Sequence, residues 1–307
     1  MRIRNPPDRA PPLDYVERVN RAIDHIVRNL DQPLGLQEIA GKAFFSPFHF
    51  HRVFRAVVGE TVAQFVKRLR LERALHMLSH DGRRSLTEIA LACGFSSSSD
   101  FSRSFKQRYG VPPSAFDLEE WRARRREELV AASTSVEGSA RLERIPPGKN
   151  PDGFRVRLRD LLACTVAYLR VLRPYRGTAV VDATRRLVAW AEARGLADGQ
   201  WLGYQWEDPE IVALEKCRFD VAVEVDRVEP EGEVGRFDFP AMTVAEVDVR
   251  GGGDLELRAL EWLYGSWLPS SGFVPDDQPC FGAWIGRPYA HGLEHFELRV
   301  RLPVRRG

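Results

Sequence analysis

Cysteine is scarce in this 307-residue chain, and its four copies, Cys93, Cys164, Cys217 and Cys280, stand far apart with no C-x-x-C pair. Neither a disulfide framework nor a zinc set of ordinary spacing can be assembled from them, and no cluster of histidines offers metal ligands instead. The thiols are therefore expected to be reduced, buried and structural. Long apolar runs are also missing: nothing approaches the ~20 residues that cross a bilayer, and the N-terminal MRIRNPPDRAPP lacks the apolar segment of a signal peptide. Serine, histidine and aspartate show no hydrolase arrangement. These absences lead us to expect a soluble, cytoplasmic protein with no cofactor, metal or membrane partner, and no enzymatic chemistry.

What is present is uneven. The net charge of +2 conceals a basic half and an acidic half. Residues 1–126 carry 22 Lys and Arg against 14 Asp and Glu, whereas residues 127–307 carry 23 against 29. A positive face attracts phosphate whatever the base sequence, so the split suits a nucleic-acid module joined to a module of another kind. The length is about twice that of a common domain, which agrees.

The basic half contains a repeat. SLTEIALACGFSSSSDFSRSFKQRYGVPPSAF, Ser85 to Phe116, has a weaker copy about fifty residues upstream in LQEIAGKAFFSPFHFHRVFRAVVGETVAQF, Leu36 to Phe65. Glu38-Ile39-Ala40 aligns with Glu88-Ile89-Ala90, Arg52-x-Phe54 with Arg103-x-Phe105, Gly59 with Gly110 and Phe65 with Phe116. Each copy reads as a short helix, a tight turn and a second helix, a unit whose second helix can enter a DNA major groove. Ser46-Pro47 and Ser97-x-x-Asp100 supply helix starts for the two second helices. Phe50, Phe54, Phe101 and Phe105 fall on inward faces by their spacing, which assigns them to core. His49, His51, Arg52 and Arg55 point outward in the first copy, with Phe48 at its entrance. Ser98, Ser99, Ser102, Arg103 and Lys106 do so in the second. Between the copies, Thr61-x-x-Gln64 opens a helix of nineteen residues, about 28 Å long, which could hold two reading heads one turn of B-DNA apart. An earlier helix, from about Asp14 to Leu30, reads as a packing brace.

The pattern EIA…GF…FSRSFKQRYGVPPSAF resembles the signature of AraC/XylS-family bacterial transcription regulators over roughly Tyr15 to Glu120. That resemblance implies a seven-helix domain on asymmetric double-stranded promoter DNA, with RNA polymerase as a further partner. The family's base-contacting positions fall on Phe48, His51 and Arg52, and on Ser98, Ser99, Ser102 and Arg103. The three serines stand where longer polar side chains are frequent, which directs the second head toward DNA shape and phosphate.

Beyond the charged run RARRREE and a Ser/Gly/Pro-rich stretch, the texture changes. Cys164 to Leu172, Gln200 to Trp206, Phe219 to Val228, Thr243 to Val249 and His295 to Leu302 read as strands, and Ala179 to Arg194 and Leu255 to Trp267 as helices. The order strand, helix, strand, strand occurs twice. The fold class expected is therefore multidomain: an all-α double helix-turn-helix domain, then an α+β domain of duplicated strand-helix-strand-strand halves. The boundaries are a tail at 1–14, a DNA-binding domain at 15–126, a linker at 127–153 and a small-molecule domain at 154–304.

The second half resembles the GyrI-like effector-binding domain, through LGYQWEDPEIVALEKCRFDVAVEV, Phe239 to Gly251, and WLPSSGF followed by Pro279-Cys280-Phe281. The resemblance implies a lipophilic, aromatic or cationic small-molecule effector in an aromatic pocket. Many members carry an acid after that phenylalanine; here Gly282 stands in its place. Candidate pocket residues are Tyr168, Tyr204, Trp206, Trp262, Trp267, Phe281 and Trp284, with Glu297 or Glu224 as a source of negative charge. Hydrolysis of reactive lipophilic compounds and binding of a protein partner remain alternative uses of the cleft.

Overall fold

A computed structural model describes residues 13–80, 84–134, 145–146 and 148–307. Its N-terminal half consists of α1 (Leu13–Arg28), α2 (Leu36–Lys42), α3 (Pro47–Val58), α4 (Val62–His80), α5 (Leu86–Ala92), α6 (Ser98–Tyr109) and α7 (Leu118–Thr134). The local chemistry that predicts these helices operates as expected. Ser46 Oγ accepts from His49 N, Ser97 Oγ accepts from Asp100 N, and both Thr61/Gln64 and Ser85/Glu88 close reciprocal capping boxes. Phe50, Phe54, Phe101 and Phe105 are fully buried, each pair inside the core of its own helix-turn-helix unit.

The two copies differ at the turn. Gly94 adopts φ +79°, and a Cβ there would stand 2.5 Å from the Leu30 carbonyl oxygen, so only glycine fits. The equivalent residue in the first copy is Phe44, held at φ 54° with its ring exposed. Arg18 donates to its carbonyl oxygen and to that of Ala43, tying the unusual turn to α1.

The C-terminal half is a mixed layer of helices on an antiparallel sheet. Its strands are β1 (Arg157–Leu161), β2 (Cys164–Leu172), β3 (Trp201–Gln205), β4 (Arg218–Val225), β5 (Gly235–Phe239), β6 (Met242–Gly251), β7 (Phe273–Pro275), β8 (Phe281–Trp284) and β9 (Phe296–Arg306). Two longer helices are α8 (Ala179–Glu192) and α9 (Gly253–Trp262); α9 continues through a π turn, Leu263–Trp267, into a short α10 (Leu268–Ser271). All five expected strands and both expected helices are present. β1, β5, β7 and β8 are additional. The sheet order β1-β6-β9-β8-β3-β4-β2-β5 shows the duplication: β3-β4-β2 in one half mirrors β8-β9-β6 in the other, and the halves meet where β3 pairs with β8. α8 covers one half and α9 the other, both on the same face.

The opposite face of the sheet carries an aromatic cluster of Tyr168, Tyr204, Phe237, Phe239 and Phe281 with Trp206 at its edge, and part of it lies against the N-terminal half. Asp24 on α1 accepts from Tyr168 Oη at 2.6 Å and from Arg170 Nη1 at 2.9 Å, all within the interior. Arg170 also donates twice to Asp220, whose carboxylate takes the indole N–H of Trp206. A second buried group joins Arg68 of α4 to Glu60, Glu72 and, at 3.9 Å, Glu207, which itself holds Arg218. Ile211, Val212 and Cys217 complete the same apolar core as Leu71, Ile89 and Phe105. The two halves are thus docked through apolar packing and buried charge together.

The segment read as a linker has structure of its own. α7 runs on to Thr134, and Ile145 is buried against α9, where its N–H donates to Glu261. Residues 135–144, also part of that reading, lie outside the described residues, as does the tail through residue 12.

Candidate nucleic-acid interface and ligand groove

The outward faces of α3 and α6 are built alike. On α3, Phe48, His51, Arg52 and Arg55 are exposed, Phe48 to 76%, and the Arg52 guanidinium lies 6.0 Å from the Phe48 ring centroid. His49 is partly spent within the protein: its ring packs against Phe45 and Tyr15 at 5.1 and 5.9 Å. On α6, Ser99, Arg103 and Lys106 are exposed, while Ser98 and Ser102 are half-buried at the first turns of the helix. Among the described residues, Arg52, Arg55, Arg103 and Lys106 make no ion pair. Cations without a carboxylate partner retain their full attraction for phosphate.

The arginines of α7 contrast with these. Arg122 lies 3.7 Å from Asp208, Arg124 3.5 Å from Glu120 and Arg125 2.7 Å from Glu128. Arg126 bridges Glu210 at 2.6 Å and Glu261 at 3.3 Å. Trp121, on the same helix, donates its indole N–H to the Ile211 carbonyl oxygen. Arg122 and Arg126 thus clamp α7 to the other domain, whereas Arg124 and Arg125 pair within the helix, a division that the sequence of the basic run does not reveal.

The expected ligand residues divide among three places. Tyr168, Tyr204, Trp206 and Phe281 share the sheet face away from α8 and α9, and Tyr168 and Trp206 are engaged by the Asp24/Arg170/Asp220 group. Tyr204 stacks on Phe239 at 4.3 Å and is 4.8 Å from Phe281, so these rings fill one another's space. Trp262 and Trp267 belong to the core beneath α9, against Phe154 and Phe273 respectively. Trp284 alone projects toward the helical face, because β8 alternates and its neighbour Phe281 has the opposite orientation. Glu297 faces His295 at 3.6 Å and His291 at 3.8 Å, and Glu224 lies exposed on the other face of the sheet from Trp284.

Gly203 on β3 and Gly282 on β8 are register partners at the seam between the halves, and side chains from Phe219, Glu256 and Leu298 take up the space above them. The Phe219 ring overhangs one glycine and the Glu256 carboxylate overhangs the other, with Glu256 Oε1 3.1 Å from where a Cβ on Gly282 would stand. Trp284, Tyr289 and Phe296 form a mutual ring cluster at the end of this seam, with centroids 4.9, 5.5 and 5.7 Å apart. Sequence reading passes over Glu256, which looks like one more polar position on an amphipathic helix. The signal available is Gly282 itself, whose missing side chain leaves room for a carboxylate from elsewhere.

Burial pushes the thiols of Cys93 and Cys280 up to about 12 and that of Cys164 to about 11, which disfavours nucleophilic thiolate at each. Among the described residues no helix is long and apolar enough to cross a membrane, and no group of three or more His, Cys, Asp or Glu could hold a metal ion.

Residues 39–118 match the model of a helix-turn-helix domain, and residues 154–305 match that of a GyrI-like small molecule binding domain. The N-terminal part is 35% identical over 102 residues to an uncharacterized HTH-type transcriptional regulator, YbfP, of Bacillus subtilis, covering 33% of this chain and 34% of that protein's length. The chain thus spans about a third of that regulator. A solved DNA-binding domain of the global transcriptional factor AdpA, in complex with a target DNA, is 26% identical over 36% of this chain and 96% of that one, with a TM-score of 0.32. The C-terminal part is 33% identical over 158 residues to a DNA gyrase inhibitor of Serratia proteamaculans, covering 50% of this chain and 99% of that protein. The chain therefore belongs to the GyrI-like small-molecule-binding family, joined to an N-terminal helix-turn-helix domain of the AraC type.

Proposed function

We propose that this protein is a one-component regulator of transcription in the bacterial cytoplasm. α3 and α6 bind double-stranded promoter DNA, and a small lipophilic effector held by the C-terminal domain alters how that DNA-binding surface is presented, including to RNA polymerase. The observation that carries this reading is the docking of the two halves: Asp24 and Arg68, on helices of the DNA-binding domain, are held by Arg170 and Glu207 of the other. A ligand that shifts the sheet would act on α1 and α4 through those contacts, and α4 joins the two helix-turn-helix units. Phe48, His51 and Arg52 are assigned to base contacts in the first head. Ser98, Ser99, Ser102, Arg103 and Lys106 are assigned mainly to phosphate and shape in the second. No catalytic step is required.

Fluorescence anisotropy of the full chain with duplex DNA from upstream of its own gene tests the reading. Affinity at least tenfold above that for a shuffled duplex at the same salt is expected. Equal affinity for the two duplexes would overturn it.

A further inference from the structure

Where α3 ends and α4 begins, the two domains enclose a cavity of about 20 Å³. Val57, Val58 and Phe65 wall it on the DNA-binding side, and Leu172 at the end of β2 walls it on the other. One water needs roughly 10–15 Å³, so the cavity takes a single particle of about that size and no organic molecule.

Its charged groups are unevenly satisfied. Arg218, only 3% exposed, spends Nε and Nη2 on Glu207 at 2.7 and 2.6 Å. Its Nη1, on the other edge of the guanidinium, is buried and meets no hydrogen-bond partner among the described residues. Arg173 and Lys216 also line the cavity, and neither has a carboxylate partner among the described residues. Arg173 is held at φ 65°, with Nη2 3.6 Å from where a Cβ on Gly59 would stand, over the turn that ends α3. Backbone strain of this kind collects at ligand clamps.

The opposing carboxylates are already engaged or exposed. Arg68 holds Glu60 and Glu72, Arg218 holds Glu207, and Glu215 lies exposed. Burial raises Glu72 to about 7, so it carries less than a full charge at neutral pH. Three positive groups with spare donors therefore border a small space with apolar walls. In such a space they attract an anion more strongly than they would in water.

We propose that this cavity binds one monatomic anion of chloride size, held by Arg218 Nη1, Arg173 and Lys216, and that the anion locks the end of α3 to the C-terminal domain. A water would satisfy Nη1 but offers no charge to the arginine and the lysine. Chloride is on this account a structural ligand of the domain interface, separate from any effector.

Bromide, close to chloride in size and visible by anomalous diffraction, tests the site in crystals of the full chain. Wild type is expected to show an anomalous peak beside Arg218 Nη1. Arg173→Asn/Lys216→Gln, in which asparagine tolerates the positive φ, should need about tenfold more bromide for the same occupancy. The thermal midpoint of the variant reports that it has folded. Amide exchange of Val57, Val58 and Gly59 should be slower in chloride than in gluconate at equal ionic strength, in wild type and not in the variant. Density without anomalous signal beside Nη1, or equal peaks in wild type and variant, would overturn the site. Exchange that is the same in both salts would overturn the lock.

Discussion

Asp24 Oδ1 and Arg170 Nη1 meet at 2.9 Å in the protein interior, although 146 residues separate them and they belong to different domains. The guanidinium is shared with Asp220, so one positive charge serves two carboxylates. Burial raises the pKa of Asp24 despite the opposing pull of Arg170.

The two partners should therefore respond unequally to mutation. Arg170→Met leaves two carboxylates buried without a counter-charge and is expected to lower unfolding free energy by about 3–5 kcal/mol. Asp24→Asn retains an acceptor for Tyr168 and a neutral Arg170/Asp220 pair, and should cost about 1 kcal/mol. Urea denaturation of the full chain measures both, and comparable losses would contradict the sharing of one cation.

A second inter-domain contact is sensitive to acid. His76 and His80 on α4 pack against each other at 4.9 Å and against Tyr264 at 6.1 and 5.2 Å. Burial, reinforced by Arg122, pushes His76 down to about 4; burial and the neighbouring His76 push His80 to about 3. Below their ordinary value of 6.5 the unfolded chain takes up protons that the native state refuses, so their contribution to stability is lost as pH falls from about 6.5 toward 4. Glu72 and Glu256, both raised to about 7 chiefly by burial, work in the opposite sense. The quantity to read is therefore the difference in thermal midpoint between wild type and His76→Gln/His80→Gln. That difference should shrink or reverse between pH 7 and pH 4, and a constant difference would rule the histidines out.

Phe44 offers a stabilising change. A non-glycine residue at φ 54° costs on the order of 1–2 kcal/mol, and its exposed ring adds no core packing. After the extra flexibility that glycine gives the unfolded chain, Phe44→Gly is expected to raise stability by about 0.5–1 kcal/mol. A lower denaturation midpoint for the variant would show that the ring has a packing role.

Two arginines test the DNA surface against the clamp. Arg52→Ala should cost about 1–3 kcal/mol at the cognate duplex, with relaxed preference at one base step. Arg126→Ala should leave binding to a shuffled duplex unchanged and instead increase amide exchange in α7, because its partners are Glu210 and Glu261. Anisotropy across a salt series and hydrogen exchange separate the two.

How much of this can be read from the chain depends on the range over which the cause acts. Caps, turns and helical faces depend on residues three or four apart, and the boundaries of α3, α5 and α6 follow from Ser46, Ser85 and Ser97. Strand β2 is legible end to end because both of its faces are buried and, Thr165 and Arg170 apart, made of apolar or aromatic residues. β1, with its largely exposed RLRDL, gives no burial signal, whereas the alternation of GRFDF in β5 was available and is short. The site is less legible. Tyr168 and Trp206 look like pocket aromatics, but their polar atoms are claimed by Asp24 and Asp220, and Asp24 is a whole domain away. Glu256 acquires meaning only when β8 places Gly282 beneath it.

The shared core around Ile211, Val212 and Cys217 bears on how such a protein can be rearranged. A chain cut at the domain boundary would lose three apolar residues from beneath the second helix-turn-helix unit and expose Leu71 and Phe105. Recombination that exchanges one sensor domain for another must therefore import a loop of the same shape.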